Sequence, residues 1–230
     1  MLLYANGCSM TMGAELTDAA EASYPSLLAQ SFGLQLFNAA RGGSSNCRIL
    51  RTSLLWISEY LQDGGRPDEL FVLIGWSAPD RREFALSSEE HTPDLNLFWR
   101  NLDVHYQLHN VTSDLRRLRK LIMRSFWCDR ESMTRFLIAV NSLQSFLVSN
   151  SIRFCFSHAL PVCHLHPELV PLVRSVNHER FFQFMDARMN FLTYCTEAGV
   201  PVGPLRHPLE EGHERWAARL SAFIREKGLL

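Results

Sequence analysis

Short apolar runs alternate with longer amphipathic stretches along this chain, and that alternation predicts an α/β sandwich around a mostly parallel sheet. Two observations carry the prediction. The segment Glu69-Leu-Phe-Val-Leu-Ile74 is almost continuously apolar and is bounded by Asp68 and Gly75, as expected of a central parallel strand covered on both faces. Between such runs the apolar residues recur at helical spacing, as at 49, 50, 54, 57 and 61.

Taken in order, Leu2-Leu3-Tyr4-Ala5 reads as a short buried strand that ends in a polar, glycine-flanked turn. Residues 23–32 read as an amphipathic helix, with Pro25 near its start and Leu27, Leu28 and Phe32 on one face. Leu34 to Phe37 form a second strand, Asn38 to Asn46 a loop rich in Gly and Ser, and Cys47 to Leu61 a helix. Residues 84–111 carry no clean period and are expected to cross the active-site face, within a helical insertion at about 84–130. Helical patterning covers 112–126 and 130–149, Ile152 to Ser157 is a buried strand, and helices are expected over 168–198 and 211–226. No repeat or linker interrupts the chain, so residues 1–230 are expected to form a single domain.

Composition narrows the function. Hydrophobic residues make up 47% and charged residues 20%, which excludes a disordered chain. The net charge of -1 argues against a nucleic-acid partner, and the run Arg116-Arg117-Leu118-Arg119-Lys120 is expected to be a solvated helix face. The six cysteines are scattered without a CxxC pair, as expected of free thiols in a reducing compartment. The opening apolar stretch is too short for a signal peptide, and no run is long enough to cross a bilayer, so a cytoplasmic protein without a membrane partner is expected.

Ligand sites in open α/β sheets lie beyond the carboxyl ends of the strands, and three polar turns fall there. The first, Asn6-Gly7-Cys8-Ser9, offers a serine hydroxyl beside backbone N–H groups, the pairing that a nucleophile and its oxyanion donors need. A helix-capping serine is the alternative there, and Cys8 is an alternative nucleophile. The second turn, Asn38 to Asn46, has paired glycines that allow close approach of backbone N–H groups, with Asn46 adding a side-chain donor. In the third, His207 precedes Pro208 on a loop, followed by Gly212-His213.

In order and placement these turns resemble the blocks of the SGNH (GDSL-like) hydrolase superfamily: Gly7-Cys8-Ser9, then Asn38 with Gly43, then His207-Pro208 with Gly212-His213. The resemblance spans nearly the whole chain. It implies a three-layer α/β/α sandwich of flavodoxin-like type, with Ser9 as nucleophile and His207 as general base. Ser9 and Gly43 would supply backbone oxyanion donors, each worth roughly 3 kcal/mol of barrier. The implied reaction is that of an esterase or acyl transferase on a small-molecule or carbohydrate acyl ester, with no cofactor and no metal. Two departures stand out. Where the family has Gly-x-Asn-Asp, this chain has Gly75-Trp76-Ser77-Ala78, so Asn46, or else Ser77, is expected to replace the missing asparagine. Pro204 occupies the position of the family's acid, which predicts a Ser-His dyad or an acid from Asp80, Glu83, Glu210 or Glu211.

Trp76, Ser77 and Arg81 are the candidate substrate contacts, with Arg81 or Arg82 suited to an anionic substrate group. Cys163, His164 and His166, with His158 nearby, do not match zinc spacings and read as loop residues, while Phe181, Phe182, Phe184 and Phe191 read as helix core. A binding or structural protein that keeps the pocket without turnover is the alternative function.

Overall fold

The computed structural model describes residues 1–85, 99–102 and 113–230. Four strands, β1 (Leu2–Gly7), β2 (Gln35–Asn38), β3 (Leu70–Trp76) and β6 (Arg153–His158), form a parallel sheet in the order β2-β1-β3-β6. A separate antiparallel ribbon pairs β4 (Arg82–Ala85) with β5 (Trp99–Leu102). The helices among the described residues are α1 (Ser9–Met12), α2 (Ala19–Ala22), α3 (Tyr24–Phe32), α4 (Asn46–Gln62), α5 (Ser113–Ser125), α6 (Asp129–Ser149), α7 (Val170–Arg174), α8 (Phe191–Glu197) and α9 (Glu210–Glu226).

Side-chain alternation along the strands divides the core in two, because successive residues point to opposite faces. Leu3, Ala5, Phe71, Leu73 and Cys155 pack with α3 and α9, whereas Tyr4, Val72, Ile74, Phe154 and Phe156 pack with α4 and α6. Helices therefore cover both faces, which is the predicted three-layer α/β/α sandwich. The chain order reverses between β1 and its two neighbours, so the carboxyl ends of β1 and β3 border the switch-point crevice.

Two glycines make that crevice possible. Gly7 and Gly75 are register partners at the ends of β1 and β3. A methyl group on Gly7 would overlap the Thr11 side chain and lie 2.8 Å from the Gly75 carbonyl oxygen, and one on Gly75 would lie 2.5 Å from the Tyr24 hydroxyl. The missing Cβ atoms admit a buried hydrogen bond in which Tyr24 Oη donates to Thr11 Oγ1 at 2.8 Å. The Tyr24 backbone N–H then donates to His213 Nδ1 at 3.0 Å, so α1, α3 and α9 are tied through one polar line.

Two expected elements differ. The helix expected over 168–198 is broken into α7 and α8, and residues 180–182 between them are extended along β6. Phe156 N–H donates to Arg180 O and Phe182 N–H donates to Phe156 O, both at 2.8 Å, in a parallel bridge centred on Phe181. Phe181 and Phe182 bury into opposite cores, an alternation of two that a helix does not produce. They are core residues, as expected, but in an extended segment. The expected helical insertion begins instead as the β4–β5 ribbon before reaching α5, and residues 86–98 and 103–112 lie outside the described residues. The ribbon is anchored by Glu83 to Arg51 of α4 at 2.7 Å and by Arg82 to Glu131 of α6 at 2.6 Å.

Gly75→Ala should lower stability by about 2–3 kcal/mol through overpacking against Thr11 and Tyr24. Urea denaturation measures this, and the same change at Gly33, whose surroundings are open but whose φ is +63°, separates packing from backbone strain.

Candidate active site

Ser9 opens α1 immediately beyond β1, and Gly13 in the left-handed conformation closes this single turn with its N–H donated to Ser9 O at 3.1 Å. The side chain of Ser9 retains access to solvent, the residue being 9% exposed, and its hydroxyl makes no hydrogen bond among the described residues. Cys8, by contrast, is fully buried in the core with Leu3 and Ala5, which removes it as the nucleophile. The first-turn amides of such a helix have no intrahelical acceptor and face the crevice end of the sheet.

His207 lies on the loop before α9, and its partner was not expected. Its Nδ1 is 2.7 Å from Glu15 Oε2. The same carboxylate accepts the His207 backbone N–H at 3.1 Å and the Leu205 N–H at 2.8 Å. Glu15 reaches this position because its φ of +70° turns the chain back after α1. The receiving loop is also tightly folded: Gly203 N–H donates to His207 O, Arg206 N–H donates to Gly203 O, and Arg206 has a φ of +65°. A methyl on Gly203 would meet the Glu15 carboxylate at 2.6 Å and push it from its present place. Partial burial pushes the Glu15 carboxyl up, but the Leu205 N–H, the His207 imidazole and the His207 N–H together hold it below the usual carboxylate range. A carboxylate on Nδ1 fixes the tautomer and orientation of an imidazole and leaves Nε2 for a substrate or nucleophile.

The acids expected from elsewhere are engaged or remote from His207. Glu83 pairs with Arg51, Glu211 pairs with Arg215, and Glu210 accepts the Thr17 N–H at 3.3 Å. Asp80 is buried near Cys163, whose thiol its charge helps to raise. None of the four expected acids partners the His207 imidazole; its Nδ1 meets Glu15 instead. Glu15 left one trace in the sequence: it is the sole acidic residue before Asp18, on the turn that follows Ser9.

Asn46, expected to donate into an oxyanion hole, uses its amide otherwise. Its Nδ2 donates to Ser77 O at 2.9 Å and its Oδ1 accepts the Ser77 N–H at 2.8 Å, so it clamps the β3 exit to α4. Ser77 is fully buried, and its hydroxyl accepts from Arg81 Nη1 at 3.1 Å. Trp76 is also fully buried, edge-on to Phe136 and Phe156, which makes it core rather than a substrate contact. Gly43 has a φ of +73° in the loop beside α1, and that loop is held by Arg41 N–H donating to Gly7 O and Asn38 Nδ2 donating to Thr11 O.

The other histidines divide by burial. His213 and His158 are pushed down to about 4, in each case chiefly by burial. His213 accepts the Tyr24 N–H and is structural. His158 sits among Phe136, Phe181 and Phe184, with its Nε2 3.4 Å from Phe184 O and its Nδ1 unpartnered. Among the described residues no three His, Cys, Asp or Glu side chains gather to hold a metal. All six cysteines are free thiols, and no described helix is long and apolar enough to cross a membrane.

A histidine held neutral in the native state destabilises it in acid, because only the unfolded chain takes up the proton between the two pKa values. For His158 that window runs from about 6.5 down to about 4, and the full loss is on the order of 3 kcal/mol. His158→Phe should therefore flatten the fall in stability between pH 6.5 and 4, as measured by denaturant titrations across that range.

Comparison with known proteins places the fold. Esterase EstA from Pseudoalteromonas sp. superposes with a TM-score of 0.52 at 11% identity, covering 98% of this chain and 97% of its own. The carbohydrate esterase family 2 enzyme with a carbohydrate binding domain from Corynascus thermopiles (Myceliophthora fergusii) gives 0.53 at 14% identity, over 99% of this chain and 66% of that one. The family two carbohydrate esterase from Clostridium thermocellum, solved with cellohexaose, gives 0.51 at 15% identity, over 100% and 65%. At such identities the likeness is one of fold, and the fold is the one that the SGNH resemblance implies. Comparison with curated proteins found no match. The model of DUF6071, a family of unknown function, matches residues 11–230, and the chain belongs to that family.

Proposed function

We propose that this protein is a serine hydrolase that cleaves an acyl ester through an acyl-Ser9 intermediate, with His207 as general base and Glu15 as the acid that orients it. One observation carries the reading: a carboxylate bound to Nδ1 of a loop imidazole, in the segment that also carries the serine beyond the central strand. A buffering or structural histidine has no need of a carboxylate that also grips its own loop through two backbone N–H groups. The esterases that share the fold agree with an ester substrate.

In this mechanism His207 Nε2 takes the Ser9 hydroxyl proton as Oγ attacks the acyl carbon. The carbonyl π pair moves to oxygen, and the Ser9 and Gly43 amides receive the oxyanion. The C–O bond to the alcohol then breaks, and His207 returns the proton to the leaving oxygen. Water repeats the sequence on the acyl-enzyme and releases the carboxylic acid; a bound alcohol in place of water would make the same chain a transferase. Glu15 stays ionised throughout and stabilises the imidazolium. Ser9 and His207 are not hydrogen-bonded in this structure, so attack requires the hydroxyl or the imidazole to turn toward the other, as is common before substrate binds.

Labelling with a fluorophosphonate, followed by mass spectrometry, should place the adduct on Ser9 and lose it in Ser9→Ala. Glu15→Gln should lower kcat by about three to four orders of magnitude, because the imidazole loses its fixed tautomer. A folded protein that never labels would be a binding protein and not a hydrolase.

A further inference from the structure

The loop between β2 and α4 is backed by a buried cation whose acidic neighbour is already paired with another arginine. Arg48, in the first turn of α4, is only 7% exposed, yet its guanidinium makes a single hydrogen bond, from Nη1 to Ser44 Oγ at 3.1 Å. A guanidinium has five N–H donors, and burying one without a counter-charge is costly. The nearest acid, Glu83, is gripped bidentately by Arg51, with Nε to Oε2 at 3.1 Å and Nη2 to Oε1 at 2.7 Å. Burial lowers the pKa of Arg48 and the charge of Arg41 lowers it further, against a smaller opposing pull from Glu83. Arg41 itself is exposed and its side chain has no partner among the described residues.

The backbone here is arranged for an anion as well. The Gly42 and Gly43 amides make no hydrogen bond among the described residues, and the φ of +73° at Gly43 turns the loop so that successive N–H groups are free. Ser44 Oγ donates to Arg41 O at 2.7 Å and is thereby set to accept from Arg48. The loop abuts the Ser9 turn, since Arg41 N–H donates to Gly7 O at 3.2 Å.

We propose that Arg48, with Arg41 and the Gly42 amide, forms an anion subsite beside Ser9, and that the ester turned over here carries a carboxylate or phosphate group. The inference rests on the hydrolase reading for its position in catalysis, but binding of the anion does not. A guanidinium fork takes two oxygens of either group, and the buried Arg48 sets the specificity while the exposed Arg41 draws the anion in.

The test has two arms. In the first, thermal shift of Ser9→Ala protein with succinate or inorganic phosphate should show stabilisation that is lost in Ser9→Ala/Arg48→Gln. In the second, kcat/KM is compared for methyl 4-acetoxybenzoate, 4-acetoxybenzoate and 4-acetoxyphenyl phosphate, which separates a neutral from a carboxylate and a phosphate ester. At least one anionic ester should be favoured about tenfold over the neutral one, and Arg48→Gln should remove that preference. Arg41→Gln, at an exposed position, should reduce the preference about threefold and serves if Arg48→Gln fails to fold. Turnover of all three esters at equal rates, unchanged by Arg41→Gln, overturns the subsite and leaves the hydrolase. Arg48-dependent anion binding without turnover of any ester keeps the subsite and overturns the hydrolase.

Discussion

The contact between Gly7 and Gly75 is the constraint on which the rest of the site depends. Two strand ends meet without Cβ atoms, and the space they leave is filled by the hydroxyl groups of Thr11 and Tyr24. Burying a hydroxyl is costly without a hydrogen bond, and here Tyr24 Oη donates to Thr11 Oγ1. Because Thr11 belongs to α1, this packing fixes the single helical turn that presents Ser9. Because the Tyr24 backbone continues the line to His213, the same packing fixes the start of α9, from which the His207 loop hangs. Ser9 and His207 thus come from opposite ends of the chain but are indexed to one buried contact.

Much of this was legible in the residues. The run from Leu70 to Ile74 marked a strand buried on both faces, and Gly7-Cys8-Ser9 marked a turn beyond another. Position relative to strand ends, together with the order of three turns, was enough to single out Ser9 and His207 before any contact was known. What was hidden depended on conformation. Glu15 reaches His207 only because its own backbone is left-handed and because Gly203 lets the carboxylate in, and neither is written in local spacing. Its 192-residue separation from His207 removes it further from any motif.

The other misreadings share a physical cause, which is that side chains with two uses look alike in sequence. Asn46 has the donors an oxyanion hole needs, but the buried peptide at Ser77 beyond β3 needs both a donor and an acceptor, and an amide side chain supplies the pair. Trp76 is the last residue of β3 and points with Val72 and Ile74 into the core, where it meets Phe136 and Phe156. The segment at 180–182 carried too many aromatics to tell a helix from an edge strand by pattern alone; its hydrogen bonds to Phe156 decide the matter.

Glu15 couples the His207 loop to the segment that carries Ser9. When acid and base share a loop, that loop can shift as a unit and keep their hydrogen bond. Here Glu15 holds the imidazole, the His207 amide and the Leu205 amide at once, so the loop cannot leave the Ser9 segment without breaking all three contacts. The carboxyl is held below its usual pKa by these same contacts, which means that they strengthen the native state above the ordinary carboxylate range and fade as the pH falls through the lowered value. Orientation of the His207 imidazole and attachment of its loop therefore stand or fall together. Pro204 restricts the backbone of a loop in which the Leu205 and His207 amides are both committed to a carboxylate from the other end of the chain.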